Sequence, residues 1–232
     1  MPGVERLRGT VVSTVHAGQE VRFFVENPDD LIQQCHWRGA FYETEELDLI
    51  AGYCRPGGVF VDIGANVGNH SLYAAKFLHP SQVIPFEPMA LAAAVLRINV
   101  MLNAVQGVVD LSHLGIGLSD APGWATASEP IDNLGATRLT AGSGPGGLPL
   151  ARGDDLMAGR RADFIKVDAE GMELAILSGL QQTILRWRPV VYVEVETVHQ
   201  DAFARWLSMT GYRAVHTLKR YDANTNYLIQ AV

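Results

Sequence analysis

A mainly parallel α/β sheet of seven strands, with helices on both faces, is the fold this sequence predicts. A small hairpin-and-helix extension precedes it. Three observations carry the prediction. From residue 59 onward short apolar segments alternate with helical ones, the rhythm of strands buried on both faces. A glycine-rich turn, Gly64 to Gly68, joins the first of these strands to a helix. The 232 residues, 48% hydrophobic, suit one large domain better than two small ones.

Residues 10–26 alternate and carry β-branched and aromatic side chains, which predicts a hairpin turning near Ala17-Gly18. Residues 43–54 read as a helix, stopped by Pro56-Gly57-Gly58. Residues 1–56 are therefore expected to form a hairpin and capping helix within the same globule, and 57–232 the ligand-binding domain. Val59–Ile63 is a continuous apolar strand, Asn69–Phe77 a helix and Gln82–Phe86 a second strand. Leu91–Asn103 is the next helix and Val108–Leu114 a third strand. Pro85 donates no ladder hydrogen bond, so a bulge or an unpaired stretch is expected there. From Ser119 to Ala151 the order blurs into a Gly-rich loop, Gly142 to Gly147, and a small hairpin. Asp163–Val167 is the fourth strand, and Met172–Trp187 one long helix ended by Arg188-Pro189. Val190–Val195 is a buried strand, Ala202–Thr210 a helix stopped by Gly211. Tyr212–Leu218 and Asn226–Gln230 close the chain as strands.

Charge and composition narrow the function. Lys and Arg number 18 against 25 Asp and Glu, a net charge of -7. That balance argues against broad nucleic-acid binding, which depends on cations neutralising phosphates. No apolar run approaches the roughly 20 residues that span a bilayer. The opening residues, MPGVERLR, lack the apolar core of a signal peptide. A cytoplasmic protein with no membrane contact and a small-molecule acceptor is expected, with homo-oligomer formation left open. Cys35 and Cys54 read as free thiols, and no His, Asp or Glu cluster has metal-site spacing.

The most informative segment is VFVDIGANVGNHSLYAAK, residues 59–76. Glycine lets the backbone turn sharply and a ligand approach the main chain. Ligands of such sheets sit beyond the carboxyl ends of the strands. The helix start at Asn69, His70 and Ser71 offers unpaired N–H groups to an anion. Asp62 at the strand end would repel a pyrophosphate but suits an α-amino group. The glycines are spaced G-x-x-x-G rather than G-x-G-x-x-G, so S-adenosyl-L-methionine (SAM) is preferred to a dinucleotide. Glu87 ends the second strand, where a carboxylate accepts from both ribose hydroxyls.

Together these segments resemble the FkbM family of SAM-dependent methyltransferases. The resemblance runs from about Phe41 to the C-terminus, through FYETEELDLI, VFVDIGANVGNHSLYAAK, VIPFEP, the Asn99/Asn103 pair, GLSD, FIKVDAEGMELAILSGL and VVYVEVE. It implies a Rossmann-like class I methyltransferase fold, and mostly hydroxyl groups of natural products and sugars as acceptors. Residue by residue, Asp62, Gly64, Ala65, Asn66 and Gly68 resemble the family's SAM loop, and Glu87 its ribose ligand. Asp168 resembles the acidic strand end beside the transferring methyl. Gly117 to Asp120 falls where an adenine pocket is expected, and Glu43 where the ligand is covered. A second proline that commonly follows Pro88 is missing.

Methyl transfer to a hydroxyl needs a general base near the methyl. Asp168, Glu170, Glu194, Glu196 and His199 all lie at or just after the ends of two adjacent predicted strands. Lys166 shares the face of Asp168 and is expected to pair with it. Trp37 to Tyr42 is expected to form an apolar flap over the cofactor. The rival readings are a methyltransferase acting on RNA or protein, a SAM-binding protein without catalysis, and a nicotinamide dehydrogenase.

Overall fold

The computed structural model describes residues 7–128, 138–142, 144, 147–169, 171–220 and 222–232. The chain opens with the expected hairpin, β1 (Thr10–His16) and β2 (Gln19–Val25), paired from Thr10↔Val25 to His16↔Gln19. Its turn residues Ala17 (φ 45°) and Gly18 (φ 77°) are both left-handed, the geometry that matches the twist of a two-residue hairpin. A helix that the sequence reading missed follows, α1 (Leu31–Trp37). The Asp30 side chain caps it by accepting from Gln33 N at 3.0 Å. Helix α2 (Thr44–Ala51) then crosses to the main body.

The main body starts with β3 (Val59–Ile63), then α3 (Asn69–Tyr73), which widens into a π turn over Ala74–Leu78. This wider turn coincides with the seating of Phe77 against His16, ring centroids 5.0 Å apart. Strand β4 (Gln82–Phe86) and helix α4 (Ala90–Leu102) come next. The blurred stretch contains β5 (Gly117–Ser119), β6 (Gly123–Ser128), β7 (Arg138–Ala141) and β8 (Leu148–Arg152), and α5 (Gly153–Leu156) follows. Then come β9 (Phe164–Val167), α6 (Glu173–Gly179), α7 (Gln181–Trp187), β10 (Val190–Glu196), α8 (Gln200–Thr210), β11 (Tyr212–Leu218) and β12 (Asn224–Ala231).

The large sheet runs β11-β12-β10-β9-β3-β4. Strands β4, β3, β9 and β10 are parallel, and β12 is antiparallel to both its neighbours. The sheet therefore has six strands among the described residues, not seven. In place of the expected third strand, Val108–Leu114 touches β4 only through two bridges, Val83↔Val109 and Glu87↔Leu114. Asp110 breaks the ladder: its carboxylate accepts from Ser112 N at 3.0 Å and starts a 3-10 turn, Leu111–His113. Pro85 lies between those bridges. Its pairing to Asp62 on the other side is in register, so the unpaired stretch is present and the bulge is not.

The expected single helix Met172–Trp187 is two. The buried Asp154 carboxylate accepts from the amides of Gln182 and Thr183, at 3.0 and 2.8 Å, and so caps a fresh helix. Just before the break, a β-carbon on Gly179 would lie 2.0 Å from Ser119 O. The expected small hairpin is β6–β7, and it belongs to a four-stranded second sheet ordered β5-β8-β6-β7.

Strand alternation sorts the core. One sheet face carries Val61, Ile63, Ile165, Val167, Val191 and Val193 into a cluster with Ile176, Leu177, Ile184 and Phe203 of α6, α7 and α8. The other carries Phe60, Phe164, Tyr192 and Leu228 into a cluster with Ile50 of α2 and Leu96 of α4. Each such buried side chain stabilises the fold by about 1.5–3 kcal/mol. The hairpin is clamped on by Asn99, whose side chain accepts from Phe24 N at 2.7 Å and donates to Val67 O at 2.8 Å. No described helix is long and apolar enough to cross a membrane.

Candidate active site

The parallel register lines up polar residues on the second sheet face. Asp62 pairs with Lys166, and Lys166 with Tyr192. Two residues further on, Asp168 and Glu194 continue the same face beyond this row, Glu194 opposite Asn226. A row of charge thus stands at the carboxyl ends of β3, β9 and β10, where ligands of such sheets bind.

Lys166 is the centre of this row. Only 2% exposed, its ammonium stands 3.4 Å from Asp62 Oδ1 and 3.3 Å from Asp168 Oδ2, and donates to Gly64 O at 2.9 Å. Burial works against its charge, but the carboxylates of Asp168, Asp62 and Glu43 outweigh it and hold the group above the usual lysine range. The expected Lys166–Asp168 pair is therefore present.

The turn after β3 is shaped by conformation and close approach. Gly64 (φ 72°), Asn66 (φ 49°) and Gly68 (φ 89°) are left-handed. A β-carbon at Gly64 would lie 1.8 Å from Asp168 O, and one at Gly68 would lie 2.8 Å from Leu96 Cγ. Only glycine fits either place. The turn presses against Glu87, which is 5% exposed. Its two carboxylate oxygens accept from Asn66 N at 2.7 Å and Met89 N at 2.8 Å. Burial pushes its carboxyl up to about 7, against the pull of those two amides.

At the start of α3, Leu72 N donates to Gly68 O, so the amides of Asn69, His70 and Ser71 precede the helical ladder. Their side chains have other partners. Ser71 Oγ donates to Asp62 Oδ2 at 2.6 Å. Asn69 bridges Tyr42 N and O, at 2.9 and 3.0 Å, and meets His36 Nε2 at 3.0 Å. His70 is buried and held neutral, its imidazole lowered to about 3 by burial and then by Lys166. Glu43 comes within 3.9 Å of His70 Nε2 and 3.6 Å of Arg220 Nη1. Burial, Asp168 and Glu46 push its carboxyl up to about 7. Arg220 also donates to the buried Glu46 at 2.8 Å. Pairing across that sequence separation left no signal in the sequence.

These residues fit SAM. Asp62 Oδ1, Asn66 Oδ1 and His70 Nε2 are buried polar atoms with no hydrogen-bond partner among the described residues, which is uncommon unless a ligand is to meet them. The helix-start amides suit a carboxylate, and the carboxylate oxygens of Glu87 keep lone pairs for hydroxyl donors. Beside them lies an apolar pocket lined by Ile63, Phe86, Pro88, Leu118, Met172 and Ile176. It falls where the sequence placed adenine, with Gly117 in its wall.

The other expectations divide. Glu194 and Asp168 are neighbours in the row, and buried Tyr192 Oη and Asn226 Oδ1 beside them have no hydrogen-bond partner among the described residues. His199 lies after β10, at the strand ends, with Nδ1 2.6 Å from Glu173 Oε1. Glu173 went unnoticed in the sequence because a lone carboxylate at an apolar helix start looks like a surface residue. Glu170 lies outside the described residues. Phe41 is not a flap: it is 3% exposed and packs against Phe23, Leu47 and Tyr73. Among the described residues no group of three His, Cys, Asp or Glu is placed to hold a metal.

The chain is 28% identical to the methyltransferase sdnD of Sordaria araneosa over 59% of this chain and 65% of that protein. It is also 28% identical to the antimetabolite synthetase AmbE of Pseudomonas aeruginosa, over 64% of this chain but 9% of that one. Each match therefore spans less than two thirds of the relative. Among solved structures, it is similar to methyltransferase FkbM from Methylobacillus flagellatus (TM-score 0.50, 20% identity, 74% of this chain and 43% of that one). An rRNA methylase from Streptococcus thermophilus matches at TM-score 0.51 and 10% identity, over 81% of this chain and 95% of that one. Sp1610 of Streptococcus pneumoniae, solved with SAM, matches at TM-score 0.54 and 13% identity, over 81% and 72%. These likenesses share the Rossmann-like methyltransferase fold. The Methyltransferase FkbM domain family matches residues 62–217, so the chain belongs to that family and carries its methyltransferase domain.

Proposed function

We propose that this enzyme methylates a hydroxyl group on a small natural product or sugar-containing acceptor. The observation that carries the reading is the row Asp168, Glu194 and Asn226, side-chain oxygens that suit hydroxyl donors, with the Asp168 backbone lying against the Gly64 turn. The net charge of -7 disfavours a polyanionic acceptor. The name of one relative, an antimetabolite synthetase, accords with small-molecule chemistry.

In this reading Glu87 holds the ribose, the amides of Asn69, His70 and Ser71 the carboxylate, and Asp62, Asn66 and Glu43 the amino end. The Phe86–Leu118 pocket takes adenine. When bound, SAM supplies an activated methyl on a sulfonium. The chain then has to orient the acceptor, exclude water and take its proton, and orientation alone is worth up to about 7–11 kcal/mol. Asp168, locked to Lys166, is an orienting group here, and Glu194 lines the acceptor side.

The test is incubation with methyl-labelled SAM and a panel of hydroxylated small molecules, with total RNA and a protein extract as parallel substrates. Label on an oxygen of a small molecule is the expected result. Label only in RNA or protein would overturn the reading.

A further inference from the structure

Resting on the proposed hydroxyl acceptor, we infer that His199 is the general base of the transfer and that Glu173 is its positioning residue. Glu173 is 1% exposed, yet it starts α6 as a carboxylate rather than an apolar residue. A buried carboxylate costs several kcal/mol unless it is fully engaged. Here one oxygen, Oε1, accepts from Glu196 N at 3.0 Å and meets His199 Nδ1 at 2.6 Å. The second contact orders a histidine whose side chain keeps 31% of its surface exposed.

The chemistry follows from which nitrogen is taken. A carboxylate at Nδ1 fixes the proton there and leaves the lone pair on Nε2, the arrangement a base needs. The place is also right. Strand β9 ends at Val167, and its parallel neighbour β10 ends at Glu196, three residues before His199. The loop from Asp168 to Glu173 carries Ala169 and Met172, which line the apolar pocket, and Glu173 fastens its far end to β10. The dyad thus stands at the far end of the loop whose near end borders the cofactor pocket.

In the step, the acceptor O–H gives its proton to His199 Nε2 while its oxygen bonds to the methyl carbon. The carbon–sulfur pair leaves on sulfur as a neutral thioether. The imidazolium that forms is stabilised by the Glu173 carboxylate. Other charged groups near this turn in the chain are Glu196 on the strand end, Asp201 in the first turn of α8, and Asp222, whose carbonyl accepts from Thr197.

Two measurements test the proposal. Nitrogen-15 NMR of the wild-type protein loaded with S-adenosylhomocysteine reads the His199 tautomer without any acceptor. The Nδ1–H form is expected, and its loss of preference in Glu173→Gln. An Nε2–H tautomer in the wild type would overturn the dyad. With an acceptor in hand, His199→Gln should lose roughly 100-fold to 10,000-fold in kcat with S-adenosylhomocysteine affinity unchanged. Glu173→Gln should lose at least roughly tenfold and shift the acidic limb of the pH–rate profile. Methyl transfer to oxygen by His199→Gln within threefold of wild type would overturn the base assignment while leaving the hydroxyl reading intact. Transfer to nitrogen instead of oxygen would overturn both.

Discussion

The backbone of Gly64 lies so near the carbonyl of Asp168 that a β-carbon there would sit 1.8 Å from the oxygen. This contact sets the glycine turn against the acidic end of β9. Gly64→Ala must push the two strand ends apart and also strains a left-handed residue (φ 72°). We expect a loss of about 2–4 kcal/mol in unfolding free energy, by urea titration, and loss of S-adenosylhomocysteine binding by calorimetry. A variant within 0.5 kcal/mol of wild type would show that the strand ends yield freely.

Lys166 neutralises two carboxylates at once, Asp62 and Asp168. Lys166→Met keeps the volume and removes the charge. Leaving two carboxylates unpaired should cost about 3–5 kcal/mol and lower the thermal midpoint. The double variant Lys166→Met with Asp62→Asn should recover part of that stability. Failure of the second change to recover anything would mean that Asp168 carries the whole penalty.

Glu87 gives the cofactor site a pH dependence. Its carboxyl, pushed up to about 7 by burial, is mostly protonated at pH 6 and mostly ionised at pH 8. If the ionised form receives the ribose hydroxyls, S-adenosylhomocysteine affinity should rise roughly tenfold across that span, and Glu87→Gln should bind weakly at both values. A flat wild-type profile would remove Glu87 from the ribose contact.

The same group makes the free enzyme less stable as pH rises. The folded carboxyl titrates near 7 and the ordinary one near 4.5, so the folded state holds the extra proton between those values. Its contribution is full below 4.5 and is lost as pH rises through 7, at most about 3 kcal/mol. Glu43, raised to about 7 as well, acts in the same sense. Chemical denaturation at pH 5.5 and 8 should show a fall in stability that Glu87→Gln makes smaller.

Asn99 holds the hairpin to the cofactor turn by bonding Phe24 N and Val67 O. Asn99→Ala leaves both backbone groups buried and unpaired, which should cost about 1–3 kcal/mol. Hydrogen exchange should accelerate first in β2. Exchange that quickens equally across the large sheet would show that the hairpin does not open by itself.

The sequence by itself determined the local elements and the turn and strand end of the candidate cofactor site. Val59–Ile63, Gln82–Phe86 and Tyr212–Leu218 match the observed strands residue for residue; the first two are short apolar runs bounded by glycine or proline, and shortness with those flanks favours a strand over a helix. Asp62, Gly64, Gly68 and Glu87 were legible because turn geometry and strand-end position are local properties. Tertiary structure alone decided the rest. It broke the third strand at Asp110, split the long helix where Asp154 caps it, and buried Phe41 in the core. It also joined Glu173 to His199 and Arg220 to Glu43 and Glu46. Apart from the Asp110 turn, whose partner Ser112 is local, each of these depends on a polar or aromatic side chain meeting a group that is distant in the chain. Hydrophobic periodicity carries no record of such meetings, since what makes them favourable is the desolvated surroundings that exist only once the sheet has formed.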